Sequence, residues 1–320
     1  MFGKMHRALE SIGGWMHTSR IRWLLSLHRE EGTKSAWAKK IVTLEGIPEL
    51  YLGYFEAHCP DDGSFPYTVL IPGFDRLGHA VCEKLVSVFE REIHVLERNG
   101  DAFSAQCFPV DEIRYVEVRT VLLDSHIKIS GQTGTGVPAN AVIQFNSVTD
   151  YLFTPILNTI RNGFPIHPGQ GSGSYEWEDW SNSNFKFMNY ARRSLMRGER
   201  VIHAILQPEI RTDRFTFLGR SLSRMLSPTH AVLLTDREWI TIREEAVQGR
   251  QDKYGATWVY IPLNKITASA LDVVNDDLLA LSIQLPEKER FDYLFQTSKE
   301  AEVRPLLDRL QELIPSKTVR

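Results

Sequence analysis

Short apolar and β-branched runs, alternating with polar positions, recur along most of the chain. They lie near 49–57, 65–72, 83–89, 92–98, 105–109, 113–130 and 140–146, and again near 199–207, 213–218, 230–234, 238–244, 256–262, 265–271 and 278–285. A period of two in runs of this length predicts strands. Glu90-Arg91 and Asp236-Arg237 fill two-residue gaps between such runs and predict hairpins. The period changes to that of a helix in two places: Leu152, Phe153, Ile156, Leu157 and Ile160 make one apolar stripe, and Val303, Leu306, Leu307, Leu310 and Leu313 another. Ser147-x-x-Asp150 and Thr297-x-x-Glu300 precede them with a hydroxyl and then a carboxylate, the pattern of an N-terminal cap. Pro155 and Pro305 fall at matching places, so each helix is either kinked there or becomes regular at its proline.

These elements occur in two sets that match in order. Leu85–Leu96 lines up with Ala231–Ile242, Arg91 falling on Arg237. Phe108-Pro-Val-Asp-Glu-Ile113 matches Ile261-Pro-Leu-Asn-Lys-Ile266, and Thr154–Ile160 falls on Arg304–Leu310. Pro48–Phe55 takes the place of Gly198–Ile205, ahead of the aromatic runs Phe65–Tyr67 and Arg214–Phe217. An ordered series of matches at nearly constant spacing predicts an internal duplication. The expected division is a basic helical segment at 1–42, a first domain at 43–162, a Gly/Ser/aromatic linker at 163–184 and a second domain at 185–320.

About seven short antiparallel strands closed by a C-terminal amphipathic helix resemble the pleckstrin-homology (PH) superfold. The wording of Phe65–Val69, Tyr115–Leu123 and Phe145–Asp150 is also similar to a group of uncharacterised bacterial proteins with PH-like domains. The resemblance is strongest over 45–161 and reaches the second half through the repeat. It implies a mainly β fold with α elements: two tandem half-open barrels, each plugged by its trailing helix. It implies no particular activity, because that superfold serves lipid, peptide and purely structural roles alike.

Charge refines the picture. The 320 residues carry a net charge of −3, which argues against a nucleic-acid partner. Residues 1–40 are nevertheless basic, with eight Lys/Arg against Glu10, Glu30 and Glu31. Phe2, Met5, Leu9, Ile12 and Met16 follow helical spacing there, with Trp15 and Trp23 nearby, which fits a helix docked on its own body, on a second subunit or on an anionic membrane. Cys59, Cys82 and Cys107 are odd in number and widely spaced, so a reducing, cytoplasmic setting is expected. No apolar run reaches the roughly 20 residues of a membrane-spanning helix, and none has the form of a cleaved leader.

Candidate chemistry is sparse. Gly131–Gly136 lacks the Lys-Ser/Thr of a phosphate loop and reads as a hairpin loop. His58, Cys59, His79, Cys82 and Cys107 have no counterparts in the second half, so neither a metal nor a cofactor is expected. Arg211, Arg214, Arg220 and Arg224 sit on the strand connection that grips phosphorylated headgroups in lipid-binding PH domains, and they are the candidate anion site. Tyr175, Trp177 and Trp180, with Trp15 and Trp23, are the candidate interaction residues, although packing on a neighbouring face is the plainer role for the linker rings. The favoured function is a non-enzymatic scaffold that binds protein partners and could self-associate. The alternatives are a peripheral binder of anionic lipid and an enzyme with a site between the domains.

Overall fold

The computed structural model describes residues 37–59, 64–76, 79–167, 175, 177–217, 220–245 and 255–314, with backbone alone for 74–76, 79–80, 213–217 and 220–223. The chain is mainly β. Its first half runs β1 (Lys39–Ile41), α1 (Glu49–His58), β2 (Tyr67–Ile71), the small hairpin β3 (Phe74–Arg76) and β4 (His79–Val81), β5 (Lys84–Phe89), β6 (Glu92–Asn99) and β7 (Ala102–Pro109). There follow β8 (Ile113–Val121), β9 (Asp124–Gln132), β10 (Pro138–Asn146) and α2 (Thr154–Asn162). After the connecting helix α3 (Glu178–Ser183) comes α4 (Phe185–Ser194). Next are β11 (Val201–Gln207), the hairpin β12 (Ile210–Phe217) and β13 (Arg220–Ser227), β14 (His230–Thr235), β15 (Glu238–Glu245) and β16 (Gly255–Pro262). The chain closes with β17 (Ala268–Asn275), β18 (Leu278–Gln284), β19 (Arg290–Gln296) and α5 (Glu300–Leu313).

Both halves thus pass through one succession: a helix, a strand, a two-stranded hairpin, three strands, a 3₁₀ turn, three more strands and a closing helix. The sheets are all antiparallel. They are β1-β2-β5-β6-β7, β10-β9-β8-β16-β15-β14-β11 and β17-β18-β19, besides the hairpins β3-β4 and β12-β13. Every sheet has two ends, so no barrel closes among the described residues. No described helix is long and apolar enough to cross a membrane.

The seven-stranded sheet runs through both halves, because β16 of the second pairs with β8 of the first from Gly255↔Val121 to Tyr260↔Val116. Val116, Ala256 and Tyr260 line one face and join a core that holds Phe108, Ile127, Ile143, Ile156 and Ile160. Tyr115, Val259 and Ile261 line the other, in a core with Trp239, Leu281, Phe295, Leu306 and Leu310. Each half therefore lends a wall to the other. The closing helices bury the expected stripes, Ile156 and Ile160 in α2, and Val303, Leu306 and Leu310 in α5. Pro155 opens α2, whereas Pro305 lies inside α5.

Several sequence-level expectations are corrected. Residues 49–57 form the helix α1 and not a strand, because Tyr51 and Phe55, one helical turn apart, are both buried against Leu85, Phe89 and Leu96. Pro48–Phe55 therefore has no structural match in Gly198–Ile205; in chain order α1 corresponds to α4, and β2 to β11. The run at 113–130 is two strands joined by Leu122-Leu123, an apolar turn in which Leu122 takes a positive φ of 54°. The strands β1, β3, β4, β13 and β19 lie outside the expected runs, β1 within the segment 1–42 expected to be helical. Asn146 rather than Ser147 caps the segment before α2, accepting from the Val148 N–H at 3.0 Å, and Ser147 Oγ donates instead to Leu122 O. At Thr297 no side-chain cap bond forms.

Candidate interaction surface

Three of the contacts between the halves stand out, and they hold Arg114, Arg161 and Glu238, all buried. The first is the ladder between β8 and β16. The backbones come so close that a Cβ on Gly255 would lie 2.4 Å from Thr120 O, which only glycine avoids. The second is a clamp: Arg114, buried on β8, meets Glu287 and Glu289 from the turn before β19 (Nε to Glu289 Oε2 3.2 Å) and donates to Ser130 Oγ at 3.0 Å. The hydrogen bond from Arg114 holds the Glu287 carboxyl below its ordinary range.

The third is a buried lock. Arg161, near the end of α2, reaches into the second half and donates through Nε to Glu238 Oε1 at 3.0 Å and through Nη2 to Ser194 O at 2.7 Å. Glu199 Oε2 lies 3.4 Å away, and the guanidinium covers the Tyr260 ring at 4.0 Å. Both carboxylates are fully buried. Burial, and then the charge of Glu199, push the Glu238 carboxyl up to about 8 against the pull of Arg161. One cation among two buried carboxylates leaves room for one proton.

The predicted interaction residues divide. Trp180 is buried, and Tyr175, Trp177 and Trp180 stack edge to face at 4.7 and 5.3 Å. The Tyr175 hydroxyl donates to Ala204 O at 3.1 Å. Tyr175 and Trp180, with Ala204, Leu206, Lys299 and Glu302, line a depression of about 390 Å³. The rings pack on the second half, the plainer of the two readings. Trp15 and Trp23 lie outside the described residues.

No family model and no curated protein matches the chain.

The four arginines share one hairpin, but on its strands and not in a loop: Arg211 and Arg214 on β12, Arg220 and Arg224 on β13. Arg211 pairs with Met225 and Thr212 with Arg224, which places Arg211 and Arg224 on opposite faces of the hairpin. Arg211 is held by Glu209 at 2.7 Å. The side chains of Arg214 and Arg220 lie outside the described residues.

Cys107 is engaged under α1. Its Sγ lies 3.1 Å from the Tyr54 hydroxyl, which is 2.8 Å from His94 Nδ1, and His94 Nε2 is 3.0 Å from Glu92. Burial lowers the His94 pKa, which favours the neutral ring, and the chain of contacts bridges helix and sheet. Among the described residues no three His, Cys, Asp or Glu side chains gather as metal ligands would.

What remains open is strand edge. β7 and β17 each end a sheet. In chain order they are the counterparts of β16 and β8, the two strands that pair at the junction. Thr257 on β16 is 3% exposed, but Ser104, its counterpart on β7, is exposed. Most of β17 is exposed, with Val273 and Val274 at 70% and 53%. Sequence reasoning missed these edges, along with Arg114, Arg161, Glu199 and Glu238.

Proposed function

We infer that this chain is a non-enzymatic interaction protein built from two PH-like domains, which binds proteins through its strand edges. The observation that carries this reading is the exposure along β7 and β17, two of the strands that end sheets, the second bearing exposed valines. A free edge offers a row of N–H and C=O groups to an incoming strand, and β-branched side chains add apolar area beside it. The PH-like part draws support from the order of elements: in each half a set of strands, a 3₁₀ turn, three further strands and a helix whose apolar stripe enters the core. The non-enzymatic part draws support from the buried ionisable groups, which join one piece of the protein to another.

The arginine hairpin favours a second reading, contact with an anionic lipid surface. Four arginines near such a surface contribute about 1 kcal/mol each, a millimolar attraction that needs a further contact to hold the protein there. Two assays decide between the readings. In affinity capture from the source cell, the wild type is expected to retain a protein that Val273→Lys/Val274→Lys loses. In co-sedimentation with phosphatidylserine vesicles, no salt-sensitive binding is expected. Vesicle binding that Arg211→Ala/Arg224→Ala abolishes, with capture unaffected by the valine changes, would favour the lipid reading.

A further inference from the structure

The junction inside this molecule uses one edge from each half and leaves the corresponding edge of the other half free. Phe108-Pro109 and Ile261-Pro262 occupy the same place in the two halves, as do Ile113 and Ile266. On that correspondence Ala102–Cys107 of β7 stands for Gly255–Tyr260 of β16, and Ser269–Val274 of β17 stands for Val116–Val121 of β8. The paired segments are buried or half-buried, with no exposed residue, whereas Ala102, Ser104 and Ala105 of β7 and Ala270, Asp272, Val273 and Val274 of β17 are exposed.

We propose that β17 of one molecule adds to β7 of a second copy of this chain, repeating between molecules the pairing that β8 and β16 make within one. This rests on the interaction reading above and names the partner. The register follows from the internal junction: Val274 opposite Ala102, Val273 opposite Phe103, Asp272 opposite Ser104, Leu271 opposite Ala105 and Ala270 opposite Gln106. It stops there because the C=O of Cys107 already accepts from the Gly134 N–H at 3.0 Å. That bond also fixes the phase of the edge. Cys107 points its backbone groups away from β6, so Phe103 and Ala105, of the same parity, do so too and are available to a new strand.

The contact joins two different surfaces. Each added molecule therefore presents a fresh copy of the edge just used, and the assembly grows head to tail, as a ring if the rotation closes and as a filament if it does not. The Arg114 clamp is not repeated: Thr267 stands in its place, and the loop at 133–137 carries no acid to match Glu287 and Glu289. The contact between molecules is thus weaker than the one within them, and reversible.

Sedimentation of the full-length chain over a range of concentrations tests this, using variants that block one edge each. Val273→Lys/Val274→Lys charges β17. Ala105→Pro removes an outward N–H from β7 without breaking its ladder to β6. The wild type is expected to grow beyond a dimer as concentration rises, each blocked variant to stay monomeric, and their equimolar mixture to form a dimer and stop. Should the proline variant misfold, Ser104→Glu serves in its place: facing Asp272 it weakens assembly, and Asp272→Lys in the same chain restores it. A wild type that remains monomeric overturns the proposal, and so does self-association by either blocked variant alone, which would mean pairing of like edges. A monomeric wild type from which the valine changes still remove a captured protein overturns self-assembly alone and leaves the interaction reading standing.

Discussion

Arg161 shows how one side chain can set the stability of this protein. With Arg161→Met the Glu199 and Glu238 carboxylates lose their buried cation, and unfolding in urea is expected to show a loss of about 3–5 kcal/mol. A loss within about 0.5 kcal/mol of zero, the range of an ordinary surface change, would mean that the lock carries no strain when opened. Its proton gives a second signature. The Glu238 carboxyl has a folded pKa of about 8, above its unfolded value, so its contribution is full below the unfolded pKa and is lost as pH rises through 8. Melting curves from about pH 5 to 9 should therefore show wild type losing ground against Glu238→Gln. His230 works in the opposite sense at the acid end: burial drives its pKa down to about 4, so its contribution is present above its ordinary value and fades as pH falls through 4.

At the scale of elements, the two halves bring their backbones together at Gly255. Gly255→Val would press a side chain onto Thr120 O and Val121 Cα, and a loss of about 1–3 kcal/mol is expected from chemical denaturation. Ala102→Val, at the corresponding place on the free edge, should cost almost nothing. Where elements could be read from sequence, and where they could not, follows from the range of the forces involved. The hairpins at Glu90-Arg91 and Asp236-Arg237 and the stripes of α2 and α5 are local patterns, and each lies where its residues say. The helix α1 carries a strand-like pattern, because Leu50, Leu52 and Tyr54 alternate as a strand would, and only packing against Leu85 and Leu96 selects the helical face. Arg114, Arg161 and Glu238 left no local trace at all. Their partners lie 77 residues away in the case of Arg161 and Glu238, and no spacing rule reaches that far.

For the whole molecule, the shared sheet makes two like halves into one body. The core of the first half includes Ala231, Ile240 and Ala256 of the second, so neither half can unfold without exposing apolar surface of the other. A single calorimetric transition is therefore expected, with calorimetric and van't Hoff enthalpies equal, and two resolved transitions would contradict it. The same sheet explains why β7 and β17 are left at sheet ends. A chain that joins unlike edges internally spends one of each kind and keeps the other of each kind at its ends.

Amide hydrogen exchange at low and high protein concentration puts these statements side by side. Residues 116–121 and 255–260 should exchange slowly at both concentrations, whereas the outward amides of the free edges, Phe103 and Ala105 on β7 and those within 270–274 that face away from β18, should exchange fast when dilute and slowly when concentrated. Rates at the two outer segments that do not change with concentration, or rapid exchange along β8 and β16 in the dilute protein, would contradict the account.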